Sequence, residues 1–130
     1  MKLLIVEDNA ALAELTAELL HLVDTQTWQI EAITLVADLQ TAMLSLPDHD
    51  AVICDGQFPL SHDSQFQSEE WEVVRHAAQG RGILFVLYSG SASAIDRARE
   101  RNTLAFAKPA PIEEIYEALM SSHCPAAIGS

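Results

Sequence analysis

Four short apolar runs, "LLIV" at 3–6, "AVIC" at 51–54, "ILFVLYS" at 83–89 and "LAFA" at 104–107, are separated by segments whose apolar residues recur at steps of three and four. That alternation constrains the fold more than any other feature. A strand that is apolar on both sides needs cover on both faces, and a parallel sheet flanked by helices supplies it. Leu12, Leu15, Leu19 and Leu22 predict a first helix with those leucines as its core side and Asp8 or Asn9 as its cap. Leu39, Met43 and Leu46 predict a second, ended by Pro47. Trp71, Val74 and Ala78 predict a third, stopped near Gly80 and Gly82. A weaker, charged helix over 92–101 has Ala92, Ile95 and Ala98, and a last one opens at Pro111 with Ile112, Ile115 and Leu119 on one face.

In "TWQIEA" the residues Trp28, Ile30 and Ala32 alternate with Gln29 and Glu31, which predicts an edge strand with one wet face. Trp28 and Trp71 read as packing residues. Segment 56–68 has no period and many turn formers, so it reads as a loop. The expectation is an α/β domain of five parallel strands with helices on both faces, doubly wound, whose strand order the pattern alone leaves open.

A chain of 130 residues suits one domain, expected over 1–122 with 123–130 as a tail. The formal charge of −12, from 19 acidic and 7 basic residues, repels phosphate backbones and anionic bilayers and argues against direct nucleic-acid or membrane binding. No apolar run approaches the roughly 20 residues of a membrane span, and "MKLLIVEDN" turns acidic before a signal core can form, so a cytoplasmic location is expected. Cys54 within an apolar run and Cys124 near the end match no metal or redox spacing, and the five histidines are scattered.

In an open parallel sheet, ligands bind beyond the carboxyl ends of the strands. The residues there are Glu7 and Asp8, then Asp55, then Ser89 and Gly90, then Lys108 and Pro109. Right-handed crossovers bring all these ends to one edge of the sheet. Three carboxylates together raise one another's pKa unless a cation keeps them ionised, and Mg²⁺ favours such oxygens while leaving positions for water and a phosphoryl group. Asp55 is then a candidate nucleophile, with the metal and Lys108 offsetting charge.

With "LLIVEDN", "AVICDGQFP", "LYSG" and "AKP" in this order, nearly the whole chain resembles the receiver domain of two-component response regulators. The resemblance implies a flavodoxin-like strand order of 2-1-3-4-5, Mg²⁺ held by Glu7, Asp8, Asp55 and the backbone carbonyl of Gln57, and Asp55 as phosphoacceptor. It further implies Ser89 as the hydroxyl that turns toward the phosphoryl group, Lys108 as its cationic contact and a cis bond before Pro109. The implied partners are a histidine kinase or histidine phosphotransfer protein and a downstream protein, output domain or second copy.

Three departures stand out. Ala105 occupies the position three before the lysine where the family carries an aromatic, with Phe106 one residue away on the opposite face. The stretch from Ser89 to Lys108 is short, and the loop after Pro59 is long. They raise an alternative, an adaptor of the same fold that binds without phosphorylation. A Mg²⁺-dependent phosphohydrolase is disfavoured, because Gly56 and Gln57 follow Asp55 where a general acid would be needed.

Overall fold

A computed structural model describes residues 1–64 and 66–123 of the chain. Five strands, β1 (Lys2–Val6), β2 (Ala32–Val36), β3 (Ala51–Cys54), β4 (Leu84–Ser89) and β5 (Leu104–Ala107), form one parallel sheet in the order β2-β1-β3-β4-β5. Helices α1 (Ala10–Asp24), α2 (Leu39–Ser45), α3 (Trp71–Gly80), α4 (Ala92–Glu100) and α5 (Ile112–His123) make the crossovers. Pro47 sits in a 3₁₀ turn, Leu46–Asp48, that closes α2. The order is the flavodoxin-like one.

Side-chain alternation divides the strands between two cores. Leu4, Val6, Val52, Cys54, Phe85 and Leu87 pack with Ala42, Trp71, Val74, Ala78, Ile95 and Ala98 from α2, α3 and α4. Leu3, Ile5, Ile53 and Val86 face the other way, onto Leu20 of α1 and Ile115, Tyr116 and Leu119 of α5. Each such large aliphatic side chain, once removed from water, contributes about 1.5–3 kcal/mol. Ala105 belongs to the first core and Phe106 packs against the second, so the one-residue offset does place the aromatic on the opposite face.

Three expectations need correction. The core side of α1 is Ala13, Thr16 and Leu20, whereas Leu15, Leu19 and Leu22 are exposed by 50%, 37% and 66%. Small residues let the helix lie close to the sheet, and the leucine stripe was the wrong one of two overlapping periods. The edge strand is Ala32–Val36, which begins at the last residue of "TWQIEA" instead of running through it. Trp28 is not packing: it is exposed and has φ of 52°.

One buried carboxylate explains the shift of β2. Asp24, at the end of α1, accepts hydrogen bonds from the backbone of Gln29 at 2.8 Å and Ile30 at 2.9 Å, and from the Tyr116 hydroxyl of α5 at 2.6 Å. Those amides are therefore committed to the helix end, and pairing with β1 starts only where Lys2 meets Ala32. The expected loop 56–68 holds a two-residue antiparallel ladder, Phe58–Pro59 with Gln67–Ser68. No helix among the described residues is long and apolar enough to cross a membrane. Cys124 and the segment "PAAIGS" lie outside the described residues.

Candidate functional site

The carboxyl ends of β1, β3, β4 and β5 meet at one edge, and the backbone there is tied strand to strand. The amide of Asp55 donates to the Val6 carbonyl at 2.9 Å, and that of Lys108 donates to the Ser89 carbonyl at 2.9 Å. Asn9 caps α1 by accepting from the Leu12 amide, so the chain turns sharply after Glu7 and Asp8. These links fix the polar side chains that follow each strand.

Ligand oxygens of Glu7, Asp8 and Asp55 lie within 4.8 Å of one another. Lys108 reaches into this group, its Nζ donating to Glu7 Oε1 at 2.5 Å and to Asp55 Oδ1 at 3.1 Å. Glu7 Oε2 accepts from the Asn9 amide at 3.2 Å, and Asp55 Oδ1 from the Gly56 amide at 2.7 Å. The Lys108 ammonium also sits 5.5 Å from the centre of the Tyr88 ring. The Lys108–Pro109 bond is cis.

Burial pushes the Glu7 carboxyl above its ordinary value. The Lys108 hydrogen bond pulls the other way, and the neighbouring Asp55 charge adds to the rise. For Lys108, burial works against the ammonium, but the hydrogen bond to Glu7 and the charges of Asp55 and Glu7 outweigh it and raise its pKa. The lysine is thus held charged. Beneath them, burial pushes the Cys54 thiol well up, reinforced by the Asp55 charge, so this cysteine is no nucleophile.

The donor set suits a divalent cation. Three carboxylates bring hard oxygen ligands within 4.8 Å of one another, the kind Mg²⁺ takes. Beside them a pocket of about 290 Å³ is lined by Asp55, Gln57, Ser89, Gly90 and Ser91. The arrangement can therefore place an anionic group against Asp55 with a cation on one side and a hydroxyl-bearing loop on the other.

All the residues singled out from the sequence converge: Glu7, Asp8, Asp55 and Lys108 in the charged cluster, and Asp55, Gln57 and Ser89 around the pocket. Sequence reasoning missed Gly56. A Cβ there would lie 2.4 Å from Ser89 Oγ, whereas one on Gly90 would meet nothing within 4 Å. Its only sequence signal is its place directly after Asp55. Ser91, also missed, caps α4 through Ala94 and donates its own amide to Ser89 Oγ at 3.0 Å.

No protein-family model matches the sequence, and no curated protein sequence matches it. Solved structures do. The response regulatory domain of MrkE from Klebsiella pneumoniae is 17% identical with a TM-score of 0.72, each chain covered in full. A receiver domain (CheY-like) from Methylobacillus flagellatus is 25% identical with a TM-score of 0.69, over 93% of this chain and 97% of that one. The BeF3-activated conformation of SdrG from Pseudomonas melonis is 25% identical with a TM-score of 0.64, over 93% and 94%. The chain has the fold of a response-regulator receiver domain, complete from β1 to α5.

Proposed function

We propose that the protein is a cytoplasmic phosphorylation switch of two-component signalling, in which Asp55 accepts a phosphoryl group from a histidine kinase or histidine phosphotransfer protein. The observation that carries this reading is the convergence of Glu7, Asp8 and Asp55 with Lys108 beside a pocket open to Asp55. An Asp55 carboxylate oxygen attacks phosphorus, the bond from phosphorus to the donor's imidazole nitrogen breaks, and that nitrogen takes up a proton. Such transfers need positioning and charge neutralisation more than covalent help.

Glu7, Asp8, Asp55 and the Gln57 carbonyl are the residues that would hold Mg²⁺, which when bound neutralises charge on the phosphoryl oxygens. Lys108 moves from its two carboxylates toward the new phosphoryl oxygens, and Ser89 offers its hydroxyl from the far wall of the pocket. The changed surface is read by a downstream protein, an output domain or a second copy. On this reading the protein promotes only its own phosphorylation and slow hydrolysis. Retention of ³²P from a phosphorylated histidine phosphotransfer domain, lost in Asp55→Asn, tests it.

A second reading is favoured by one observation: Ala105, almost buried at 8% exposure, holds the place of the aromatic that implies a switch. An adaptor of this fold would bind its partner with the same affinity in wild type and Asp55→Asn, with or without a phosphoryl donor.

A further inference from the structure

At Gly56 it is lack of space, not a positive φ, that bars a side chain. The residue does not lie in the left-handed region of backbone conformation, so an alanine could adopt the same backbone. What excludes a side chain is Ser89: an added Cβ would come within 2.4 Å of its Oγ and 3.1 Å of its Cβ, with Ala94 Cβ of α4 at 3.6 Å. The first distance is one no real contact shows, and the atom concerned is the end of a rotatable side chain.

The hydroxyl occupying that niche has a definite task. Ser89 is 2% exposed, and its Oγ accepts the amide proton of Ser91 at 3.0 Å. Ser91 is the cap of α4, its own Oγ accepting from the Ala94 amide at 3.3 Å. The position of one hydroxyl therefore anchors the first turn of α4. Further along that helix, Arg97 pairs with Glu69 at 2.6 Å, which ties α4 to the loop before α3.

From this geometry we infer that Gly56 is a positioning residue: its missing side chain provides a niche in which the Ser89 hydroxyl is parked at the N-terminus of α4 in the resting state. The inference rests on the switch reading above for its consequence, though not for its existence. When Ser89 turns toward a group on Asp55, it leaves the niche, the Ser91 amide loses its acceptor, and the start of α4 is released. This gives the domain a route from Asp55 to α4 that does not pass through position 105. A filled niche would expel the hydroxyl without any ligand, and a protein spared the cost of leaving the resting state binds the activating ligand more tightly.

The test uses Gly56→Ala, Ser89→Ala and the double variant, each checked for folding by circular dichroism. In the absence of any phosphoryl donor, amide hydrogen exchange at Ser91 is expected to be about tenfold faster in Gly56→Ala than in wild type. The double variant should exchange like Ser89→Ala, since the hydroxyl that alanine would displace is gone. With Mg²⁺ and beryllium trifluoride, Gly56→Ala should bind about three- to tenfold tighter than wild type. A folded Gly56→Ala with Ser91 protected as in wild type would overturn the inference. So would loss of folding in Gly56→Ala with a folded double variant, because the hydroxyl then has no second position. Failure of both to fold would show that the backbone itself needs the glycine, and would overturn it too. If wild type takes up no beryllium trifluoride while Ser91 exchange still responds to Gly56→Ala, the parking stands and the switch reading falls.

Discussion

Replacing Tyr116 by phenylalanine removes one oxygen atom from the protein and should weaken it in a manner that depends on pH. The hydroxyl donates to Asp24 Oδ1 at 2.6 Å in a nearly closed site, where Asp24 is 2% and Tyr116 8% exposed, and it also contacts the Thr27 hydroxyl. A hydrogen bond to an ionised acceptor is worth about 1.5–3 kcal/mol, and the phenylalanine ring keeps the apolar packing against α1. Asp24 retains its bonds from Gln29 and Ile30, so complete disruption is not expected. The loss at pH 7 should be about 2 kcal/mol, which for a domain of this size is about 6–8 °C in Tm.

The pH dependence has a definite sign. Burial raises the Asp24 pKa, but the hydrogen bonds from Tyr116, Ile30, Gln29 and Thr27 outweigh it and hold it below the ordinary 3.8. A carboxyl lowered on folding contributes stability that is present above its unfolded value and is lost as pH falls through its folded one. Urea denaturation of wild type and Tyr116→Phe at pH 7, 5, 4 and 3 should therefore show a constant gap down to about pH 4 and a narrowing gap below it. A difference under about 0.5 kcal/mol at pH 7, or a gap that widens on acidification, would refute the role given to this network.

Other outcomes follow from the same structure. Trp71→Ala removes a fully buried ring that stacks on Phe85 at 6.3 Å, and should cost about 3–5 kcal/mol by urea denaturation. Lys108→Met should fold yet take up phosphoryl groups about 100-fold more slowly, followed by intact mass against time. Mg²⁺ at a hundredfold excess over its Kd should stabilise the wild type by about 2.7 kcal/mol in a thermal melt, and Asp8→Asn should abolish most of that gain.

The sheet and the candidate site were legible in the sequence for the same reason. "LLIV", "AVIC" and "ILFVLYS" are apolar on both sides, which only a covered parallel strand tolerates, and such strands deliver their next residues to one edge. Glu7, Asp8, Asp55, Ser89 and Lys108 could be gathered before any distance was known. The α1 face could not be read as safely, because Leu15, Leu19 and Leu22 share the helical period with Ala13, Thr16 and Leu20. Periodicity does not say whether bulk or close approach governs the contact. The β2 register was hidden by Asp24, whose partner Tyr116 lies 92 positions away. Gly56 was invisible for a related reason: its meaning lies in a hydroxyl on a different strand, at Ser89.

The switch itself is tested most directly by intact-protein mass spectrometry after incubation with acetyl phosphate, with and without Mg²⁺, on wild type and Asp55→Asn. The account predicts one added phosphoryl group in wild type that requires Mg²⁺ and is absent from Asp55→Asn. A folded wild type that gains none from acetyl phosphate or from a phosphorylated histidine phosphotransfer protein, or a gain that persists in Asp55→Asn, would contradict it.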